Sequence, residues 1–298
     1  MVENMKNFMK SEKQKKYKIG LAFGGGGARG FAHLGVLKAF EENGIVFDEV
    51  AGTSVGSIVA SLYAFGLSSD EMMEAARKIK TNDIRNSKLF FVPSKTEGIE
   101  KLVKSLIGDA HFEDMKKPLT IVAVDLKTTQ EVHITQGSVV KAVAGSCAVP
   151  GVFNPVDFGE YRLVDGGLQN TIPADVLRQN GCKYVISIDV NPTRAYGTDS
   201  TKLMDILFAS IRIMMKTNAV KGKLYSDIVI ETDTSKFKST SVEGGEEMYK
   251  VGYESAMKLM PKIKELLNPK EQKFSFWNIF KRNKKKILKE QEKEIIHE

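Results

Sequence analysis

Between Lys18 and Gly66 the sequence runs twice from a short apolar strand, through a glycine-containing turn, directly into an apolar helix. Lys18 to Phe23 reads as the first strand, with Ile19, Leu21 and Phe23 alternating, and it enters the glycine cluster Gly24 to Gly30. Phe31 to Asn43 then carries Phe31, Leu34, Val36, Leu37 and Phe40 at helical spacing and closes on Asn43-Gly44, a helix stop signal. Ile45 to Val50 is the second strand, Gly52-Thr53-Ser54-Val55-Gly56 its turn, and the next helix runs through Phe65 to Gly66. A strand followed by a helix before the next strand returns by a crossover, so the two strands lie parallel under covering helices. That confines the chain to the α/β class.

The rest of the sequence extends the pattern. Buried-type strands are predicted at Leu119–Val124, Tyr184–Val190 and Asp227–Glu231, each after a helical stretch. Ser68 with Glu71 forms a capping box for a helix to about Lys80, and Ser94 with Glu97 does so for one to about Ile107. Val156 to Val164 breaks the alternation as a hairpin turning at Gly159-Glu160. The last core helix is predicted over Glu246–Leu267, interrupted at Pro261. No internal repeat and no Pro- or Ser-rich linker divides residues 18–267, which are expected to form one domain between tails 1–17 and 268–298.

Charge narrows the function classes. Residues 1–18 carry six lysines and two glutamates, and residues 268–298 nine basic and five acidic residues, so the body holds a net −1 of the chain's formal +7. A neutral body between basic tails argues against nucleic acid as a partner. No apolar run reaches the roughly 18–20 residues of a membrane span, and no apolar stretch follows the N-terminal lysines as in a secretory signal, so a cytoplasmic protein is expected. Cys147 and Cys182 have no CxxC or histidine at ligand spacing; they are expected as small buried hydrophobes, with neither disulfide nor metal nor cofactor implied.

Three motifs carry chemistry. Gly25-Gly26-Gly27-Ala28-Arg29-Gly30 is a formal GxGxxG between strand and helix, where bare amides and a helix N-terminus converge on a negative group. That group is either a dinucleotide pyrophosphate or a developing oxyanion. Gly52-Thr53-Ser54-Val55-Gly56 is a GxSxG in the context of a nucleophile elbow, with Gly52 and Gly56 relieving the crowding of the turn; a plain helix cap is the simpler alternative. Asp165-Gly166-Gly167 puts a carboxylate at the end of a strand, or else is only a turn. A Ser-His-Asp triad would need an imidazole, and His33 (helix), His111 (polar loop), His133 (mid-strand) and His297 (tail) are poorly suited, although His33 and His111 stay open.

In this order and at these separations GGGGARG, GTSVG and DGG resemble the patatin-like phospholipase family, and the resemblance takes in Ala144–Val156 and extends from about Lys18 to Leu267. It implies a three-layer α/β/α fold with a mostly parallel central sheet and a serine–aspartate dyad without histidine. It implies Ser54 as nucleophile, Asp165 as base, the amides of Gly25, Gly26 and Gly27 as oxyanion hole, and a lipid or other acyl ester as substrate. Gly24 departs from the family pattern, in which many members have Asp. A dyad aspartate must be desolvated to gain basicity, since an ordinary one titrates near pH 3.9. Arg29 could guide an anionic head group or pin the loop. Two alternatives remain: a nicotinamide-dependent oxidoreductase with Asp48, 18 residues past Gly30, on the ribose, and a non-catalytic membrane- or partner-binding protein on a hydrolase fold.

The C-terminal tail is outside the resemblance. As a helix it would gather Phe276, Trp277, Phe280, Ile287 and Leu288 within roughly 120°, with Lys281, Arg282, Lys285, Lys286 and Lys289 opposite and Lys284 intruding. Residues 274–289 are therefore expected to dock peripherally on an anionic membrane, the alternative being a solvated basic tail.

Overall fold

The computed structural model describes residues 17–79, 94–191 and 199–267. The 274–289 segment and His297 lie outside the described residues. The chain divides into one unit ending at Ala256 and a second beginning at Met257, whose described part is the last stretch of a helix.

Among the described residues eight strands form one sheet: β1 (Ile19–Phe23), β2 (Glu49–Thr53), β3 (Leu119–Asp125), β4 (Gln130–Ile134), β5 (Val156–Phe158), β6 (Tyr161–Asp165), β7 (Tyr184–Asp189) and β8 (Ile228–Glu231). Their order is β5-β6-β3-β2-β1-β7-β8, with β4 pairing β3 off that path. From β3 through β2, β1 and β7 to β8 every pairing is parallel, whereas β4, β5 and β6 add antiparallel ladders at the β3 end. Helices α1 (Phe31–Glu42), α2 (Val55–Phe65), α3 (Ser69–Arg77), α4 (Glu97–Ile107), α5 (Val139–Ser146), α6 (Ala174–Gln179), α7 (Leu203–Leu224) and α8 (Gly245–Leu267) complete the α/β/α arrangement. β1, β2, β3 and β7 are buried almost throughout, as a parallel sheet covered on both faces requires. Among the described residues no helix is long and apolar enough to cross a membrane.

Three local expectations are corrected. The second strand is Glu49–Thr53, not Ile45–Val50: Ile45 N folds back onto Phe40 O, the Asp48 carboxylate accepts from Ile19 N, and the ladder continues through Gly52. Ser94 does not cap α4, because its main chain bridges to Val152 and Asn154; Thr96 occupies the cap and its hydroxyl donates to Glu100 at 2.8 Å. Pro261 lies inside α8 without ending it, since a proline removes one donor from a helix of 23 residues. The Ser68–Glu71 capping box forms as read, and the hairpin turns at Gly159, whose φ is 57°.

Candidate active site

Ser54 joins β2 to α2 with φ 53° and ψ −131°, a conformation a residue with a Cβ adopts only where its surroundings enforce it. The enforcement is steric and polar. A Cβ on Gly52 would stand 2.5 Å from the Gly56 carbonyl oxygen, and one on Gly56 2.2 Å from that of Phe23. The Ser54 amide donates to Ser146 Oγ at 2.9 Å, whose hydroxyl donates to Val122 O at 2.6 Å, and the Ser57 amide and hydroxyl both donate to Ser54 O. Ser146 went unnoticed in the sequence, where a serine at a helix end has no distinguishing pattern.

Sheet register explains why Asp165 meets Ser54 across 111 residues. On one edge of β3, Val122 pairs in parallel with Thr53, the last residue of β2, and the next residue, Ala123, pairs antiparallel with Asp165, the last of β6. β4 holds the opposite edge of β3, so β2 and β6 approach end to end along the same edge. Their final side chains converge: Ser54 Oγ donates to Asp165 Oδ2 at 2.6 Å, while Gly167 N donates to Oδ1 at 2.8 Å. Gly166 and Gly167 let that turn close, since a Cβ on Gly166 would stand 2.3 Å from Val122 O. Asp165 is 2 % exposed, and this burial raises its carboxyl from 3.8 to about 6 despite the two hydrogen bonds that favour the carboxylate.

The glycine loop passes beside Ser54: a Cβ built on Gly25 would lie 3.3 Å from Ser54 Cβ. Its three amides are not equivalent. Gly25 N donates to Thr171 O at 3.0 Å and so is engaged, whereas among the described residues no hydrogen bond takes up the N–H of Gly26 or Gly27. Gly27 has φ 60° and Ala28 N reaches Ser239 O. Gly30 packs on Val55, the first residue of α2, where a Cβ would stand 2.3 Å from Val55 Cγ2. Arg29 is 7 % exposed and binds Phe237 O through Nε and Nη2 and Asn191 Oδ1 through Nη1, so it pins the loop. Asn191, also unread in the sequence, donates to Gly25 O at 2.7 Å.

None of the described histidines is hydrogen-bonded to Ser54. His33 is fully buried with Nε2 on Gly24 O at 2.8 Å, and burial lowers it to about 4, which fixes it as a neutral Nε2–H donor behind the loop. His111 faces Glu113, and His133 lies 2.7 Å from Glu131. Cys147 is buried beside Ser57, and burial together with the Asp165 charge raises its thiol, leaving it protonated. Asp48 holds Ile19 N at the start of β1, the end of the strand away from the glycine loop, so it cannot meet a ribose bound there. A cavity of about 400 Å³ opens at that same distant end, where Lys18, Asn180 and Glu49 bind one another.

Comparison with known proteins bears on the family of the chain. An uncharacterised NTE family protein of Mycobacterium tuberculosis is 34 % identical over 186 residues, which cover 60 % of this chain and 32 % of that protein. The lysophospholipase NTE1 of Mycosarcoma maydis is 32 % identical over 282 residues, covering 81 % of this chain and 15 % of it. The chain thus spans about a third or less of the length of these relatives. The crystal structure of VipD from Legionella pneumophila aligns over 83 % of this chain and 67 % of that one at 14 % identity, with a TM-score of 0.49, too loose to add to the argument. Residues 21–178, more than half of the chain, match the family described as Patatin-like phospholipase, and they include the glycine loop, Ser54 and Asp165. The chain belongs to the patatin-like phospholipase family.

Proposed function

We propose that this chain hydrolyses carboxylic esters of lysophospholipids, phospholipids or related lipids through Ser54 and Asp165. The observation that carries the reading is the buried 2.6 Å hydrogen bond from Ser54 Oγ to Asp165 Oδ2, with the amides of Gly26 and Gly27, unengaged among the described residues, alongside. Asp165 takes the Ser54 proton as Oγ attacks the acyl carbonyl carbon, and the carbonyl oxygen becomes an oxyanion held by those amides and the N-terminus of α2. Collapse breaks the ester bond, and the leaving alcohol takes the proton back from Asp165. Water, deprotonated by Asp165, then attacks the acyl-enzyme; the proton returns to Ser54 and the fatty acid leaves. The relative named a lysophospholipase supports the substrate class. Residues 274–289 are part of this proposal as a peripheral contact with an anionic membrane.

The test is a panel of phospholipid, lysophospholipid, monoacylglycerol and short aryl esters. Turnover of lipid esters that disappears in Ser54→Ala supports the reading; a wild-type protein inert on the whole panel would overturn it.

Two expectations follow from the geometry. With the Asp165 carboxyl at about 6, its basic form is lost as pH falls, so kcat/KM should decline tenfold per pH unit below about pH 6 and level off above it. A pH–rate profile on a soluble aryl ester checks this, and a break near 4 would mean that burial does not tune the base. Ser146→Ala should strand the buried Ser54 N–H, lowering stability by about 1–3 kcal/mol and kcat more than it changes KM. Urea unfolding and steady-state kinetics on one preparation would measure both.

A further inference from the structure

Helix α7 rests one side on the turn that holds Asp165. Asn218 Nδ2 donates to Leu168 O, Thr171 Oγ1 donates to Met215 O at 2.7 Å, and Met215 Cε lies 2.3 Å from where a Cβ on Gly167 would stand. The other side is open and apolar. Leu203, Ile206, Leu207, Ile213, Met214 and Val220 are between 45 % and 69 % exposed. At about 100° per residue these six fall within an arc of about 140°, and the remaining positions in that arc up to Val220 are Ser210 and Thr217. The face is therefore free of charge over that length. A surface helix normally turns such a stripe inward; here the small residues Ala219 and Gly222 are the buried ones. A contiguous row of this kind marks a surface that meets something apolar.

Two observations choose the occupant. One flank of the face carries Lys202, Arg212 and Lys216 against Asp205, a cationic border to an apolar strip. The strip is also small: a helix of 22 residues is about 33 Å long, and at a width of about 10 Å it offers roughly 330 Å², less than half of the ~800 Å² each partner contributes to a stable protein interface. A lipid surface sets no such minimum and favours basic residues at head-group level. We propose that the outer face of α7 docks on an anionic lipid surface and so holds the Asp165 turn, on which its inner side rests, one helix away from that surface. This rests on the reading of the site as a lipid hydrolase.

The test compares the full-length wild type, Ser54→Ala and the double variant Ile206→Glu/Ile213→Glu, whose substitutions fall on exposed side chains. Binding is measured by co-sedimentation with phosphatidylcholine vesicles containing roughly a third phosphatidylglycerol, and turnover on a soluble aryl ester and on lipid in the same vesicles. The double variant should lose at least tenfold in vesicle binding and vesicle hydrolysis while soluble-ester turnover stays within twofold; Ser54→Ala should bind vesicles like the wild type. Vesicle binding unchanged in the double variant would overturn the docking surface, and so would a wild-type dimer, by light scattering, that the double variant converts to monomer. Failure of the hydrolase reading looks different: vesicle binding through α7 persists but no ester is cleaved.

Discussion

Ser54→Ala and Asp165→Asn are each expected to lower ester turnover by at least about a thousandfold, and the double variant should fall little further, because nucleophile and base act as one unit. Alanine removes the attacking oxygen. Asparagine retains the shape and can still accept from Gly167 N, yet cannot take the proton that Ser54 Oγ now points at Asp165 Oδ2 across 2.6 Å. Among the described residues no histidine stands in reserve at Ser54, since the His33 imidazole donates to Gly24 O on the far side of the loop. Steady-state kinetics on folded variants checks this, with circular dichroism as the control. Near-normal turnover by either variant would remove the dyad assignment.

The same Asp165→Asn substitution is expected to stabilise the fold at neutral pH. A carboxyl at about 6 in the fold and 3.8 when unfolded favours the folded state only while it is protonated. Below about pH 3.8 both states hold the neutral acid and the charge imposes no penalty; as pH rises through about 6 the fold must carry a buried carboxylate. The difference of roughly two units corresponds to about 3 kcal/mol. Urea unfolding should therefore show the variant about 3 kcal/mol more stable at pH 8 and equal to wild type near pH 3.8. His33, lowered from 6.5 to about 4, works in the opposite direction: its neutral form stabilises the fold above pH 6.5, a contribution lost as pH falls through about 4. It is common to both proteins and cancels in the comparison. A stability gap that does not change with pH would contradict the burial argument. The substitution is expected to trade activity for stability, because the desolvation proposed to make Asp165 a base also weakens the fold.

Local periodicity and glycine chemistry made the two strand–turn–helix units legible, and with them the strand-end placement of Ser54. The bounds of β2 were not, because Gly52 and Thr53 look like turn residues although they continue the ladder beside β1 and β3. Family motifs, more than spacing, brought Ser54 and Asp165 together; the structure adds the reason, which is the head-on approach of β2 and β6 along β3, a non-local fact no window of sequence contains. For the same reason the partners of the loop stayed hidden: Thr171, which engages the Gly25 amide, Asn191, which holds the Gly25 carbonyl, and Ser146, which anchors Ser54, all come from distant segments. α7 was legible only as one of the helical stretches, because apolar residues occupy most of its circumference outside the charged flank of Asp205, Arg212 and Lys216, and only burial separates the side on the Asp165 turn from the side left open.

The most direct test of the central claim is peptide mapping after reaction with a lipid-like fluorophosphonate, which traps an activated serine as a phosphonyl ester and releases fluoride. The account predicts one adduct, on the peptide containing Ser54, at a rate that falls in Asp165→Asn and is unchanged in His111→Ala. An adduct on another residue, or ester hydrolysis that continues with Ser54 unmodified and the protein fully exposed to the reagent, would contradict it.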